Sequence, residues 1–268
     1  MNRRRFFIGA GAAALAPFAL AVPGNAGELP QDGVDWFTKP VLISALTVVV
    51  IVWFYWGASR KAAIVPTKLQ FAGELGYNFV RNSIARDAIG SQEYMKYVPY
   101  LCGLFYFILL NNVAATVPLI QFPTFSHIGW AYSAAIMSWV IYNAVGIRKH
   151  GAWGYFKHQT MPAGVPAWLM PLMIPIEFIS NILVRPISLS LRLFANMFAG
   201  HILLLVFVLG AEYMVFESGK IFLAGVGVIT FLMGLAIGGL ELFVQCIQAY
   251  IFVVLTAQYI GSAIAEEH

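Results

Sequence analysis

Residues 185–201 read RPISLSLRLFANMFAGH and place Arg192 inside an apolar run long enough to cross a membrane. The guanidinium of arginine stays charged at every pH that a cell experiences. At mid-bilayer such a charge costs about 2.5–3.5 kcal/mol on insertion scales. Arg192 therefore needs a partner, an aqueous cavity or a function that uses its charge.

The composition is that of a membrane protein. Of the 268 residues, 60% are hydrophobic and 10% are charged, whereas soluble domains are about 25% charged. So much apolar surface cannot be hidden from water, so lipid surrounds most of the chain. The formal net charge is +4, but the basic residues stand beside apolar segments, and we expect no nucleic-acid partner. Cys102 and Cys246 fall in predicted spans, so no disulfide framework is expected.

The first 26 residues have the pattern of a targeting segment. Arg3, Arg4 and Arg5 precede an Ala-rich apolar stretch, and small residues follow at Gly24 and Ala26. A cleaved signal and an uncleaved extra helix are both open. In either case the basic residues stay in the cytoplasm and residues 28–38 lie outside. Residues 27–268 are predicted to form one polytopic membrane domain.

Five membrane spans are predicted, at about residues 41–58, 98–120, 128–147, 168–210 and 221–261. Residues 69–80 carry a helical apolar stripe with charged neighbours, which is typical of an amphipathic helix at the membrane interface. Basic residues cluster in segments 60–97 and 148–157, whereas segment 121–127 has no Lys or Arg. The positive-inside rule places both basic segments in the cytoplasm. Five crossings then put the mature N-terminus outside and the C-terminus in the cytoplasm.

The last two apolar segments, of about 43 and 41 residues, are too long for upright spans. As single helices each measures about 60 Å, twice the hydrocarbon thickness of about 30 Å. Either each segment hides a turn, or each is one strongly tilted helix. No clear turn signal interrupts them, although Pro171, Pro175 and Pro186 could kink the first. We therefore predict an all-α membrane protein that ends in a long, tilted helical hairpin.

The few polar side chains of this hairpin form a constellation. Glu241, Gln245 and Gln248 have i, i+4, i+7 spacing and share one helix face. Folding the hairpin about Gly219 predicts that Gln248 faces Arg192 and that Glu241 faces the first arm's histidine. The polar residues of the first arm are Glu177, Asn181, Arg185, Ser188, Ser190, Arg192, Asn196 and His201.

Each of these residues also has a purely structural interpretation. Arg192 could pair with Glu241, His201 could be a packed histidine, and the glutamines could make interhelical hydrogen bonds. Glu177 and Asn181 could line a water-filled entrance or pair with Arg185. Taken jointly, however, a carboxylate, an imidazole and a permanent cation in one apolar hairpin indicate a proton pathway.

Two sequence strings carry a family resemblance. Residues 185–201 resemble the signature of subunit a of F-type ATP synthases, and QAYIFVVLT at 248–256 resembles the second signature on its final helix. The likeness runs from about residue 41 to the C-terminal tail. It implies a non-catalytic subunit of the membrane Fo sector in a bacterial plasma membrane. Its implied partners are the ring of c subunits, subunit b, the other synthase subunits and lipid.

The resemblance also implies roles for the polar residues. Arg192 would face the c ring and separate two aqueous half-channels, with Asn196 and Gln248 beside it. Glu241 and His201 would line the half-channel that opens to the outside. The cytoplasmic half-channel would be lined by Glu177, Asn181 and Ser188. The N-terminal leader departs from many bacterial members of the family.

Other functions are less well supported by the sequence. No Gly-rich lysine loop for nucleotide appears, and neither a cofactor nor a metal is predicted. A secondary transporter or a respiratory-chain proton pump is the alternative, but such transporters show internal repeats, and we find none. A haem-binding subunit needs histidine pairs in its spans, and only His201 lies well inside one. A purely structural subunit would tolerate an apolar residue at Arg192. The sequence does not decide whether the transported ion is H⁺ or Na⁺, because that choice depends largely on the ring of c subunits.

Overall fold

A computed structural model describes residues 39–60, 66–90, 93–116, 123–160, 169–217 and 221–265. These residues are helical or lie in short connections, and no strand occurs among them. The predicted leader (1–26), the segment placed outside (28–38) and the C-terminal residues 266–268 lie outside the described part of the chain.

Seven helices make up most of the described chain. They are α1 (Lys39–Arg60), α2 (Lys68–Phe79), α3 (Val98–Thr116), α4 (Ile128–Thr160), α5 (Met170–Phe178), α6 (Arg185–Glu212) and α7 (Ile221–Ile264). Three π turns extend them: Val80–Arg86 after α2, Ile179–Val184 between α5 and α6, and Tyr213–Glu217 after α6.

The helices confirm the all-α membrane fold. Four stretches are long and apolar enough to cross a bilayer: Pro40–Ser59, Val98–Thr116, Met170–Phe216 and Ile221–Ile264. They correspond to four of the five predicted spans. The remaining span, 128–147, falls on α4, where polar residues such as Ser133, Ser138 and Asn143 interrupt the apolar run. A crossing by α4 stays a prediction.

The basic segment 148–157, which a short loop between spans would contain, is helical. Residues 148–160 belong to α4, which bends sharply at Gly151, where φ is 72° and ψ is 161°. A positive φ of this kind is accessible to glycine at little cost. Beyond the bend the chain turns back, so that the Tyr155 hydroxyl donates to Asn143 Oδ1 at 3.0 Å. The ring of Tyr155 fills the space beside Gly146 that a side chain would otherwise occupy.

Helix α2 lies against α1 and α3. Its N-terminus is capped by Thr67, whose side chain accepts a hydrogen bond from the Gln70 amide at 3.4 Å. Gly73 allows close approach to Ala58 of α1. Leu69, Phe71 and Leu75 remain exposed, as an interfacial helix requires, and the interfacial placement itself stays a prediction.

The apolar core lies at one end of the hairpin. It is built by α3, the first halves of α4 and α6, the C-terminal half of α7, the π turn Val80–Arg86 and one side of α1. Phe107, Phe252 and Ile84 are fully buried there. By contrast, the remaining parts of α6 and α7 expose large apolar side chains such as Val206, Leu209 and Phe243. Surface of this kind requires lipid or a protein partner.

The hairpin consists of two long helical arms, so the interpretation without hidden turns is confirmed. The first arm runs continuously over Met170–Phe216 and the second over Ile221–Ile264. At 1.5 Å per residue each arm is about 65–70 Å long. Glycines bring the arms together: Gly234 lies against Phe207 and Gly238 against Leu204. Small residues at such contacts let helix backbones approach closely in membranes.

The register of the hairpin differs from the prediction by about one helical turn. Folding about Gly219 predicts Glu241 opposite Met197, whereas Gln245 Nε2 lies 3.9 Å from Met197 Sδ. The contact of Gly238 with Leu204 has the same register.

Replacing Gly261 by Ala should destabilise the packing of α7 against the short helical turn Asp87–Ile89. An added Cβ would lie 2.7 Å from the Ala88 carbonyl oxygen, and backbone cannot move aside cheaply. We expect a loss of about 1–3 kcal/mol, measured as a lower midpoint of heat unfolding of the purified complex. Gly225→Ala is the matched control, because nothing lies within 4 Å of that position. Equal midpoints for the two variants would contradict this packing.

Candidate functional site

Arg192 lies on α6 with its side chain exposed. Among the described residues no carboxylate lies within ion-pair distance of it, and no hydrogen bond from its guanidinium is found. Arg192 therefore makes no hydrogen bond to Gln248, the residue that the sequence predicts to face it, and the interpretation as an ion pair with Glu241 is wrong. Two neighbours in sequence, Leu189 and Leu193, are buried, so the helix is anchored while its charge faces outward.

Asn196, one turn beyond Arg192, makes the contact with Gln248. Asn196 Nδ2 donates to Gln248 Oε1 at 2.6 Å. Gln248 is only 2% exposed, and its Nε2 group is buried without a partner among the described residues. The side-chain oxygen of Gln248 is already used by Asn196, so this oxygen joins the two arms of the hairpin beside Arg192.

Glu241 belongs to a hydrogen-bond network that joins α3 and α7. Its Oε1 accepts from Gln245 Nε2 at 3.0 Å. The other end of that amide, Gln245 Oε1, accepts from the Thr116 hydroxyl of α3 at 2.7 Å. Asn112 Nδ2, also on α3, donates to the Gln245 carbonyl at 3.1 Å. Both hydrogen-bonding ends of the Gln245 amide are thus fixed, and the amide holds the Glu241 carboxylate in place.

Gly200 provides the space that Glu241 occupies. A Cβ at Gly200 would lie 3.0 Å from Cγ, Cδ and Oε1 of Glu241. His201, the next residue, is half-buried and forms no ion pair with Glu241. The two residues are level in the observed register, and neither a hydrogen bond nor an ion pair joins them.

A second polar cluster lies toward the start of the first arm. Asn181 is buried, and its Nδ2 donates to Glu177 Oε2 at 3.1 Å and to the Gln159 carbonyl of α4 at 2.7 Å. Glu177 forms no ion pair with Arg185, which corrects that alternative. Arg185 instead stacks on Tyr259 of α7, with Cζ 5.0 Å from the ring centroid.

Arg192 lies between the two clusters along the helix axis. It follows Asn181 by about 16 Å and precedes Gly200 by about 12 Å, from the rise of 1.5 Å per residue. Ser188, half-buried on α6, lies one turn before Arg192 on the side of the second cluster. The exposed cation therefore separates one polar network from the other.

Several polar residues of these networks lie outside the hairpin, and the sequence interpretation missed them. Asn112 and Thr116 contribute from α3, and Tyr142, Tyr155 and Gln159 contribute from α4. The available signal was the same as in the hairpin, since Asn112 and Thr116 interrupt an apolar run. No group of three or more His, Cys, Asp or Glu that could hold a metal occurs in the described part of the chain.

Fold and site together define a polytopic membrane protein with ionisable groups arranged inside its long helices. Residues 41–261 match the family described as ATP synthase A chain. The chain is 54% identical over 238 residues to ATP synthase subunit a of Nocardioides sp., covering 89% of this chain and 86% of that one. It is 47% identical over 241 residues to ATP synthase subunit a of Pseudarthrobacter chlorophenolicus, covering 90% of each chain. For ATP synthase subunit a of Streptomyces lividans the identity is 40% over 242 residues, covering 89% of this chain and 83% of that one.

The chain belongs to the family of ATP synthase subunit a, the membrane subunit of the Fo sector. The resemblance seen in the sequence is therefore confirmed. With it the membrane location and the membership of the ATP synthase complex are established.

Thr116→Val should weaken the attachment of α3 to α7, because it removes the hydroxyl that donates to Gln245 at nearly constant volume. We expect a loss of about 1 kcal/mol, read as the midpoint of heat unfolding of the complex. Thr230→Val is the control, because the Thr230 hydroxyl donates only to Val226 O, in its own helix, at 3.0 Å. A larger effect at Thr230 than at Thr116 would refute the network.

Proposed function

We propose that this chain is the stator that translocates protons, with two half-channels that meet the rotating c ring at Arg192. The observation that carries the proposal is the exposed, unpaired guanidinium between two separate polar networks. A cation at this depth must find its counter-charge outside the chain, and the carboxylates of a c ring would supply it.

The network around Glu241 would form the half-channel open to the outside. Glu241 and Gln245 are buried between α3, α6 and α7, and His201 lies level with them. Carboxylate and imidazole are the side chains that exchange protons most readily near neutral pH. The fixed Gln245 amide would keep the carboxylate facing the route while protons pass.

The network around Glu177 would form the half-channel open to the cytoplasm. Glu177, Asn181 and Ser188 follow the first arm toward Arg192, and Asn181 connects them to α4 through the Gln159 carbonyl. A proton entering one half-channel could reach the other only by travelling on the ring, because Arg192 repels it between the two. Each charge crossing the potential would release about 2.3 kcal/mol per 100 mV.

The exposed apolar arms support the proposed partners. Side chains such as Val206, Leu235 and Leu240 need a cover, which the c ring would provide on one side and lipid or subunit b on the other. We further propose the bacterial plasma membrane as the location, with the mature N-terminus outside and the C-terminus in the cytoplasm. ATP chemistry would belong to other subunits. A secondary transporter or respiratory pump is disfavoured by the family match over residues 41–261.

Arg192→Ala should abolish proton-driven ATP synthesis while the complex still assembles, because no described residue depends on the guanidinium for its own hydrogen bonding. Passive proton leak through the membrane sector should rise, since the barrier between the half-channels is gone. Both are measured in reconstituted vesicles with an imposed pH gradient. The control is Arg86→Ala, an exposed arginine outside the hairpin. Synthesis near the wild-type rate in Arg192→Ala would overturn the proposal.

Glu241→Gln should lower proton-driven ATP synthesis severalfold without raising the leak, because the amide keeps the size of the side chain but cannot carry a proton. Glu212→Gln is the control, because it changes an exposed carboxylate of the first arm, and it should leave the rate unchanged. The same vesicle assay measures both variants. If the two variants lose the same fraction of activity, Glu241 has no specific role in the proton route.

A further inference from the structure

The π turn between α5 and α6 leaves backbone carbonyls without main-chain partners. In this turn Arg185 N–H bonds to the Ser180 carbonyl, five residues back. In the α-helix that follows, each N–H bonds to the carbonyl four residues back, so that Ser188 takes the carbonyl of Val184. The carbonyls of residues 181, 182 and 183 are then left for the N–H groups of residues 186 and 187. Pro186 has no N–H, so three carbonyls share one donor.

Two side chains of α4 bond to two of these carbonyls. Trp139 Nε1 donates to the Ile182 carbonyl at 3.0 Å, and the Tyr142 hydroxyl donates to the Asn181 carbonyl at 3.5 Å. With Ile187 N–H available for the third, every carbonyl freed by the turn and by Pro186 has a donor. Asn181 and Tyr142 are buried, and a buried carbonyl left without a donor costs the full desolvation of that group, so Trp139 and Tyr142 stabilise the turn itself.

The same side chains connect the turn to α7. The ring centroids of Tyr142 and Tyr259 lie 5.5 Å apart. Arg185 stacks on the ring of Tyr259. Asn181 is fixed twice, through its carbonyl to Tyr142 and through its amide to Gln159. The start of α6 is therefore attached to both α4 and α7.

We infer that Trp139 is a positioning residue for the proton route, assisted by Tyr142, and this rests on the proposed function. A π turn accommodates one extra residue, which rotates all that follows by about 100° relative to an uninterrupted helix. The turn stands between Glu177 on one side and Arg192 on the other. By holding the turn, Trp139 sets the face on which Arg192 stands relative to Glu177 and Asn181.

The test removes the indole donor and then supplies a replacement. Trp139→Phe keeps a ring but loses the N–H, and proton-driven ATP synthesis by the assembled complex should fall about fivefold to tenfold, the cost of one unsatisfied buried carbonyl. Trp153→Phe is the control, because Trp153 is 86% exposed and should keep the full rate. Pro186→Ala adds one backbone N–H at the turn, and the complex that carries this substitution alone should assemble.

The double variant W139F/P186A gives the decisive comparison. The added N–H can serve the carbonyl that Trp139 served, so the loss caused by Trp139→Phe should shrink to less than about twofold in the Pro186→Ala background. If Trp139 acted only by packing, an added backbone N–H would not restore the rate of ATP synthesis. An equal loss in both backgrounds, or a full rate in Trp139→Phe alone, overturns the inference.

A measurement of assembly separates this inference from the proposed function. If Trp139→Phe does not assemble, assembly of the double variant supports the inference and its failure to assemble overturns it, as does failure of Pro186→Ala alone. The heat-unfolding midpoint of the complex should follow the same pattern of loss and rescue. That readout holds even if Arg192→Ala retains synthesis, an outcome that would overturn only the proton route.

Discussion

In a membrane every polar group of the chain must find its partner in the protein or in a water-filled cavity, because the surrounding lipid offers none. The described structure obeys this constraint closely at both ends of the hairpin. Gln245 is held by α3 and by Glu241, and Asn181 is held by α4 and by Glu177. Arg192 is the clearest exception, since its exposed and permanent charge has no partner among the described residues; the buried Nε2 group of Gln248 is a smaller one.

The rest of the architecture holds Arg192 in this exposed position. The buried core around α3 and the end of α7 fixes one part of the hairpin, while the long exposed arms leave Arg192 facing outward. Glycines on both arms allow close approach without filling the space that Glu241 requires. A fixed cation between two fixed polar networks is the arrangement that a rotating partner with carboxylates could use.

Much of this was predictable from the sequence, and the reasons for the rest are physical. The apolar periodicity predicts the long arms, and i, i+4, i+7 spacing places Glu241, Gln245 and Gln248 on one face. The register of the arms differs from the predicted one by about one turn, and the Gln248 oxygen accepts from Asn196 instead of Arg192. Pro186 was recognised as a possible kink, but the indole and hydroxyl that stabilise the turn come from α4. Contacts between segments so distant in sequence have no local signal.

The central claim is that water reaches the two networks from opposite sides of the membrane. Single cysteines at Asn181 and His201, with Cys102 and Cys246 replaced by serine, can be exposed to a membrane-impermeant thiol reagent added to either side of sealed vesicles. Such reagents attack the thiolate, so labelling requires contact with water. The account predicts that position 181 reacts only from the cytoplasmic side and position 201 only from the opposite side. Reaction of both positions from one side, or of neither from any side, would contradict it.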